Sequence, residues 1–323
     1  MRSGGSARAG GGLLRLEHGL AGRVELDAPL GRRTTYRVGG SVTALVEVDS
    51  LQDLALVAEV ASTAGLPVLP VGAGSNMLVA DRGVHALAVT LGRAFSDLRI
   101  DRDTVVVGAA VPLPVLARRT AAEGLEGLEW AVGIPGTVGG AVRMNAGGHG
   151  SDIASACVRV HLFDLREREH LVVPAGDMHF GYRRSRVGPD QVVLGAEFRV
   201  RRGDPTRARQ RIEEIVKWRR EHQPGGQNTG SVFVNPPGDA AGRLIDLAGC
   251  KGMRVGKAEV SRKHANFIVV ESDGAAAHVY ELMVLVRERV AERFGVWLEP
   301  ETRLVGFDGA ELEAVGCRPE DRW

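Results

Sequence analysis

Cysteine, net charge and long apolar runs are all scarce in this chain, and each scarcity removes a class of protein. Cys157, Cys250 and Cys317 are the only three cysteines among 323 residues, too few and too scattered for a disulfide framework or a metal site. The 41 basic and 40 acidic residues leave a net charge of +1, so there is no general electrostatic case for nucleic acid or an anionic membrane. No apolar run approaches the length of a bilayer span, and no membrane insertion is expected. Free thiols and the lack of a secretory h-region predict a reducing, cytoplasmic setting. The opening MRSGGSARAGGG is basic and low in complexity, which predicts a disordered tail over residues 1–19. The length allows two or three domains with sizeable cores.

Glycine is abundant, with 43 residues. Residues 124–150 concentrate it, reading GLEGLEWAVGIPGTVGGAVRMNAGGHG. Each glycine gives up much backbone freedom on folding, so such a run suits a place where backbone must approach a ligand or gather N–H groups on an anion. It is no Rossmann fingerprint, because Pro135 interrupts the spacing and no acidic residue follows at the expected distance. Nor is it a P-loop, since no Gly-Lys-Ser/Thr closes it. Alone it would read as a structural turn. A second loop at 68–79, VLPVGAGSNMLV, shifts the balance, with Ser75 and Asn76 as turn formers after a strand-like run. Two such loops suit a ligand with a pyrophosphate and a large flat ring, a dinucleotide.

Around these loops the elements alternate. Ser50 predicts an N-cap for a helix over 51–64 with Leu54, Val57, Ala58 and Ala61 on its apolar face, ended by Gly65. Strands are expected at 44–48, 85–91, 103–107, 157–165, 170–173 and 191–200, and a helix over 112–123. Alternation puts Val192, Leu194, Ala196, Phe198 and Val200 on one strand face. Asp204 and Pro205 open a helix carrying Ile212, Ile215 and Trp218. QPGGQNTG at 223–230 is the best domain boundary. Beyond it come a short helix over 241–248, a strand at 267–270, an amphipathic helix over 275–294 and a strand over 296–305.

The pair GAGSN and GIPGTVGGAVRMNAGGHG resembles the FAD-binding signature of the UDP-N-acetylmuramate dehydrogenase family, also called UDP-N-acetylenolpyruvoylglucosamine reductases. The likeness continues in order through Tyr182-Arg183-Arg184-Ser185, GSVFVNP at 230–236, Lys251-Gly252-Met253 and LEPE at 298–301. It implies an α+β protein with a two-part FAD-binding region of the vanillyl-alcohol-oxidase/PCMH type, followed by a smaller α/β substrate-binding domain. The implied divisions are 20–92 and 93–222 for the FAD-binding region and 223–305 for the substrate domain. Residues 306–323 are then expected to return to the FAD-binding region. The short span between Arg183 and Ser231 resembles the form without a tyrosine-bearing lid loop.

The resemblance further implies NADPH-dependent reduction of an enol ether, UDP-N-acetylglucosamine-enolpyruvate, through non-covalent FAD. Gly72, Ala73, Gly74, Ser75 and Asn76 would hold the cofactor with Gly133, Ile134, Pro135, Gly136, Thr137, Val138, Gly139, Gly140, Ala141, Asn145, Gly147 and Gly150. Ser231 would be the proton donor, with Arg183 and Glu301 as its companions. Tyr182, Arg219, Asn235, Lys251 and His264 would bind the nucleotide sugar. Val234 stands where the family usually has lysine or arginine, which puts one phosphate contact in doubt. No metal is expected, and a monomer is favoured. Two other readings remain: a flavin oxidase on the same fold, for which these loops offer only His149 as a tether, and an inactive nucleotide-sugar or FAD-binding module.

Overall fold

The computed structural model describes residues 3–318, with side chains described from Gly10 onward. It divides into two units, each assembled from separate stretches of chain.

The first unit takes, among the described residues, 3–27, 43–73 and 85–219. Its first sheet has the order β1 (Val24–Ala28), β2 (Val42–Val48), β5 (Val84–Leu91) and β3 (Val68–Pro70). Helix α2 (Leu51–Ala64) covers it, capped by the Ser50 hydroxyl accepting from Asp53 N–H and ended by left-handed Gly65. Leu54, Val57, Ala58 and Ala61 are buried as the periodicity predicts. The segment expected to be a tail contains helix α1 (Ser3–Gly19), with Leu16 and the following Leu20 buried in the same core as Leu54 and Val57. A Cβ on Gly12 would lie 3.1 Å from Val60, and one on Gly19 2.7 Å from Leu56. Glycine at these positions therefore lets α1 approach α2 closely.

The second sheet of this unit has the order β12 (Glu169–Pro174), β11 (Cys157–Asp164), β13 (Gln191–Arg199), β7 (Thr104–Gly108) and β6 (Leu98–Asp101). It is antiparallel throughout. Strict alternation fails in β13, where Val192 through Ala196 are all buried. The register slips between His161 and Leu162, leaving Leu194 as an extra residue. A bulge of this kind flips the faces. Val192 and Leu194 thus join the core under α2, while Ala196 and Phe198 face the core of α3 (Leu113–Ala122). The remaining pieces are β8 (Leu125–Glu126) paired with β14 (Arg201–Arg202), β9 (Gly147–Gly148) paired with β10 (Ser151–Asp152), α4 (Val138–Arg143), α5 (Ile153–Ala156) and α6 (Pro205–His222). Ile212 and Ile215 of α6 are buried, but Trp218 is 43% exposed.

The second unit takes residues 28–42, 74–84 and, among the described residues, 220–318. Strand β4 (Met77–Val79) runs parallel to β18 (Arg303–Val305), and β15 (Arg254–Val255), β16 (Ala258–Val260) and β17 (Ile268–Val270) form a small antiparallel sheet. Its core centres on α8 (Ala276–Phe294), whose Val279, Leu282, Met283, Val286 and Val290 are buried as expected, against α7 (Ala241–Leu247). The chain changes unit at 220, and residues 28–42 and 74–84 group with the C-terminal part. The C-terminal segment also stays there: α9 (Gly309–Ala314) receives the Tyr280 hydroxyl on Glu311 O at 3.1 Å, and Arg287 of α8 bonds Ala314 O at 3.0 Å. The same segment meets Arg82, whose Nε donates to Gly306 O at 2.9 Å and whose guanidinium pairs with Glu311. Among the described residues no helix is long and apolar enough to cross a membrane.

Candidate functional site

The second glycine loop needs its glycines for different reasons. Gly136 O accepts from Leu113 N–H, Val138 N–H donates to Val111 O, and Gly139 N–H donates to Ala109 O, at 2.9 to 3.0 Å. The N–H groups of Val138 and Gly139 are thus taken up by the turn before α3. A Cβ at Gly139 would press on Ala109 Cβ at 3.0 Å, so this glycine serves packing. Gly140 is exposed, and a Cβ there would meet only the Thr137 hydroxyl, at 3.9 Å. On Gly72 a Cβ would come within 2.6 Å of the same hydroxyl. Thr137 therefore joins the start of the first loop, Gly72-Ala73, to the second. Gly133 is obliged to be small by the His149 ring, 2.7 Å from where a Cβ would stand, whereas Gly150, with φ +86°, faces open space. Ala141, Ile134 and Pro135 add small or rigid backbone to the same loop. Bare backbone at Gly140 and Gly150, beside a loop drawn close at Gly72, fits a cofactor that must lie flat on main chain.

Asn145 does something else. It is 3% exposed, and its Nδ2 donates to Asp152 Oδ2 at 3.2 Å and Gly181 O at 2.9 Å while Oδ1 accepts from Ala154 N–H at 2.9 Å. Both amide hydrogens are engaged within the protein, so this side chain ties the loop together. Gly147 lies beside Asp152 in the β9–β10 pair, and its carbonyl accepts from Arg183 Nη2 at 3.1 Å. Arg183 itself sits in the left-handed region at φ +59°, its guanidinium 4.9 Å from the Tyr182 ring centre. Asp152 and Gly181, which no sequence signal marked, thus build the turn that presents Arg183. Nearby in sequence order, His149 meets Trp218 edge-on at 5.3 Å, and burial first, then Arg219 and Arg211, lowers its pKa. Burial also lowers the pKa of Arg219 from its ordinary value.

In the second unit the structure brings Ser231 and Glu301 onto paired stretches of chain. Phe233 bridges Pro300, Glu301 N–H donates to Val232 O at 2.8 Å, and Val234 N–H donates to Glu299 O at 2.9 Å. Buried Asn266 clamps the first stretch, accepting from Phe233 N–H at 2.9 Å and donating to Phe233 O at 2.8 Å. Asn76 holds the second, its Nδ2 donating to Glu301 O at 2.9 Å. The Asn76 amide thus positions the main chain of Glu301. Gly74 of the same loop has φ +60° and would place a Cβ 2.8 Å from Thr34 Cα. Ser75 lies between them. Asn266 carried no signal in the sequence, since a lone asparagine in a polar stretch has no period or motif.

The expected sugar-nucleotide residues of this unit also group. Asn235 Oδ1 accepts from Ala241 N–H at 3.0 Å at the start of α7. Lys251 pairs with Asp246 at 2.6 Å. His264 accepts from Asn266 N–H at 3.2 Å, and burial first, then the Lys251 charge, lowers its pKa. Arg183, Tyr182 and Arg219 belong to the first unit, Ser231, Asn235, Lys251, His264 and Glu301 to the second. Among the described residues no group of histidine, cysteine, aspartate and glutamate could hold a metal ion.

Comparison with known proteins matches residues 42–168 to the FAD binding domain family and residues 222–305 to the C-terminal domain of UDP-N-acetylenolpyruvoylglucosamine reductase. The UDP-N-acetylenolpyruvoylglucosamine reductase of Rubrobacter xylanophilus is 46% identical over 88% of this chain and 95% of its own. The crystal structure of the corresponding Thermus caldophilus reductase is 35% identical with a TM-score of 0.75, covering 87% of this chain and 98% of that one. A Physcomitrella patens berberine-bridge-enzyme-like protein, 14% identical with a TM-score of 0.57 over 94% of both chains, shares the fold alone. On identity and coverage of this extent, the chain belongs to the UDP-N-acetylenolpyruvoylglucosamine reductase family.

Proposed function

We propose that the chain reduces UDP-N-acetylglucosamine-enolpyruvate to UDP-N-acetylmuramate, with NADPH as reductant and FAD held non-covalently. The observation that carries the reading is the pairing of the Ser231 and Glu301 segments, with Ser231 left outside any cap. No helix begins at residue 231, and among the described residues its hydroxyl makes no hydrogen bond. A hydroxyl that is neither cap nor core bond is available for chemistry.

When bound, FAD supplies the hydride that no side chain can carry. Gly72, Gly140 and Gly150 would hold it on bare backbone. Ser231 would donate a proton to the carbon that does not receive hydride; the intermediate is basic enough for a hydroxyl to serve as acid. Arg183, pre-set by Gly147 O, would pair with the substrate carboxylate, where negative charge grows. Glu301, fixed by Asn76 and Val232 through its main chain, would orient the intermediate or return a proton to Ser231. Lys251 would exchange Asp246 for a substrate phosphate beside Asn235 and His264, and Tyr182 and Arg219 would complete the nucleotide-sugar contacts. The setting would be the cytoplasm and the acting form a monomer.

The test is direct. Purified protein should be yellow, acid precipitation should leave all flavin in the supernatant, and anaerobic NADPH should bleach it. Added enolpyruvyl substrate should restore the colour with formation of UDP-N-acetylmuramate. A protein that cannot be loaded with FAD, or whose NADPH-reduced flavin is restored by oxygen alone, contradicts the proposal.

A further inference from the structure

Two buried threonines lie next to the proposed acid and its companion. Thr229 is two residues before Ser231 and Thr302 directly follows Glu301. They are 5% and 2% exposed, and their hydroxyls are hydrogen-bonded to each other at 3.2 Å. The fully buried Tyr36 hydroxyl faces Thr229. On the far side of Ser231 the chain is tied down by Asn266 and by the Glu301 N–H bond to Val232 O. On the near side it is much looser. Gly230 has φ +81° with no atom within 4 Å of where a Cβ would stand, and its N–H finds only the local Asn228 Oδ1, at 3.0 Å. Among the described residues, the side-chain contacts by which residues 228–231 reach beyond their own loop are those of Thr229, to the Thr302 hydroxyl and towards the buried Tyr36 hydroxyl.

Stability alone does not account for this pair. Two hydroxyls buried together gain little over two apolar groups of the same shape, because each gives up its hydration. Valine at both positions would fill nearly the same volume without that loss. What valine could not do is fix the distance between the two stretches at the point where one is free to pivot. We infer that Thr229 and Thr302 are positioning residues, a hydroxyl latch that holds Ser231 in register with Glu301 for proton delivery. The inference rests on the reading of Ser231 as the proton donor. The latch touches neither substrate nor cofactor; it acts through the backbone of its two neighbours.

The experiment uses FAD-loaded holoenzyme in anaerobic double mixing, first with NADPH and then with the enolpyruvyl substrate. Thr229→Val, Thr302→Val, the double variant and Thr302→Ser are compared with wild type, with Ser231→Ala as the control. Each valine variant should slow substrate-driven flavin reoxidation by about 10- to 100-fold, the cost of a modest misplacement. Flavin reduction by NADPH should hold at the wild-type rate throughout, and the thermal midpoint should hold in the double variant, whereas each single valine variant leaves one buried hydroxyl unpaired and should lose some midpoint. The double variant should be no slower than the slower single one, because either change breaks the same bond. Thr302→Ser, which keeps the hydroxyl, should recover most of the rate. The latch is overturned if the valine variants reoxidise flavin at the wild-type rate, if both half-reactions slow equally, or if Thr302→Ser is as slow as Thr302→Val. Those outcomes with a slow Ser231→Ala remove only the latch. A Ser231→Ala that reoxidises normally removes the proton-donor reading, and the latch with it.

Discussion

Adjacent residues Gly139 and Gly140 show how one motif letter can stand for two requirements. A methyl at residue 139 would meet Ala109 Cβ at 3.0 Å and its carbonyl oxygen at 3.3 Å, both parts of a packed turn. A methyl at residue 140 would point into open space on an exposed position. Gly139→Ala should therefore destabilise the protein by about 1–3 kcal/mol through overpacking. Gly140→Ala should leave stability unchanged or raise it by up to about 1 kcal/mol, since alanine suits a helix better. It should lower FAD occupancy, because the methyl takes the surface on which the cofactor would lie. Urea denaturation of flavin-free protein and flavin content after purification separate the two. Equal loss of flavin with no difference in stability would show that both glycines face the ligand. The sequence could not make this distinction: it shows where side chains are missing, not what occupies the space.

At the scale of elements, the local signals were legible and the long-range ones were not. Helices α2 and α8 follow their apolar spacing and their glycine stops because both are properties of contiguous sequence. Strand β13 departs from simple alternation at a bulge set by its partner β11, which no pattern within β13 reports. The strand expected over 296–305 shortens to Arg303–Val305, because Glu299 through Thr302 bond instead to the stretch around Val232. Asn145 is the sharpest case. It looks like a member of the glycine motif, yet it ties the loop after α4 to Asp152, Ala154 and Gly181. Asn145→Ala should leave buried groups without partners and cost about 2–4 kcal/mol in urea unfolding. It should also weaken Arg183, whose presenting turn it supports, and raise the substrate KM. A loss of stability below about 0.5 kcal/mol would contradict the structural assignment, since that is the range of an inconsequential surface change.

For the whole molecule, the division into two units was only half legible. A turn-rich stretch at 223–230 lies close to the change of unit at 220, but nothing local shows that residues 28–42 and 74–84 group with residues 220–318. That assignment depends on pairings such as β4 with β18, made across most of the chain. Charge on the folded molecule gives a second whole-protein expectation. Burial is the first cause that lowers the pKa of His149, His170 and His264, followed by Arg219 and Arg211, by His161 and by Lys251 respectively. A folded pKa below the unfolded value of about 6.5 means that the unfolded chain binds more protons as pH falls. Stability should therefore decline from about pH 7 downward through the histidine range. Asp239, held down at about 2 by its hydrogen bond to Arg243, adds its loss only in strong acid. Thermal midpoints between pH 5.5 and 7.5 read the histidine window, with those pH values set about one unit either side of the unfolded histidine pKa. A midpoint that stays flat or rises on acidification would contradict it.

The central claim is that Ser231 delivers the proton in an NADPH-driven reduction of the enolpyruvyl group, and its most direct measurement separates the two half-reactions in Ser231→Ala. Under anaerobic stopped flow, NADPH should bleach the variant's flavin at about the wild-type rate. The enolpyruvyl substrate should then reoxidise it more slowly by about 10²–10⁴-fold, the usual contribution of a general acid. Equal slowing of both half-reactions, or slowing of neither, would contradict the account and require another source for the proton.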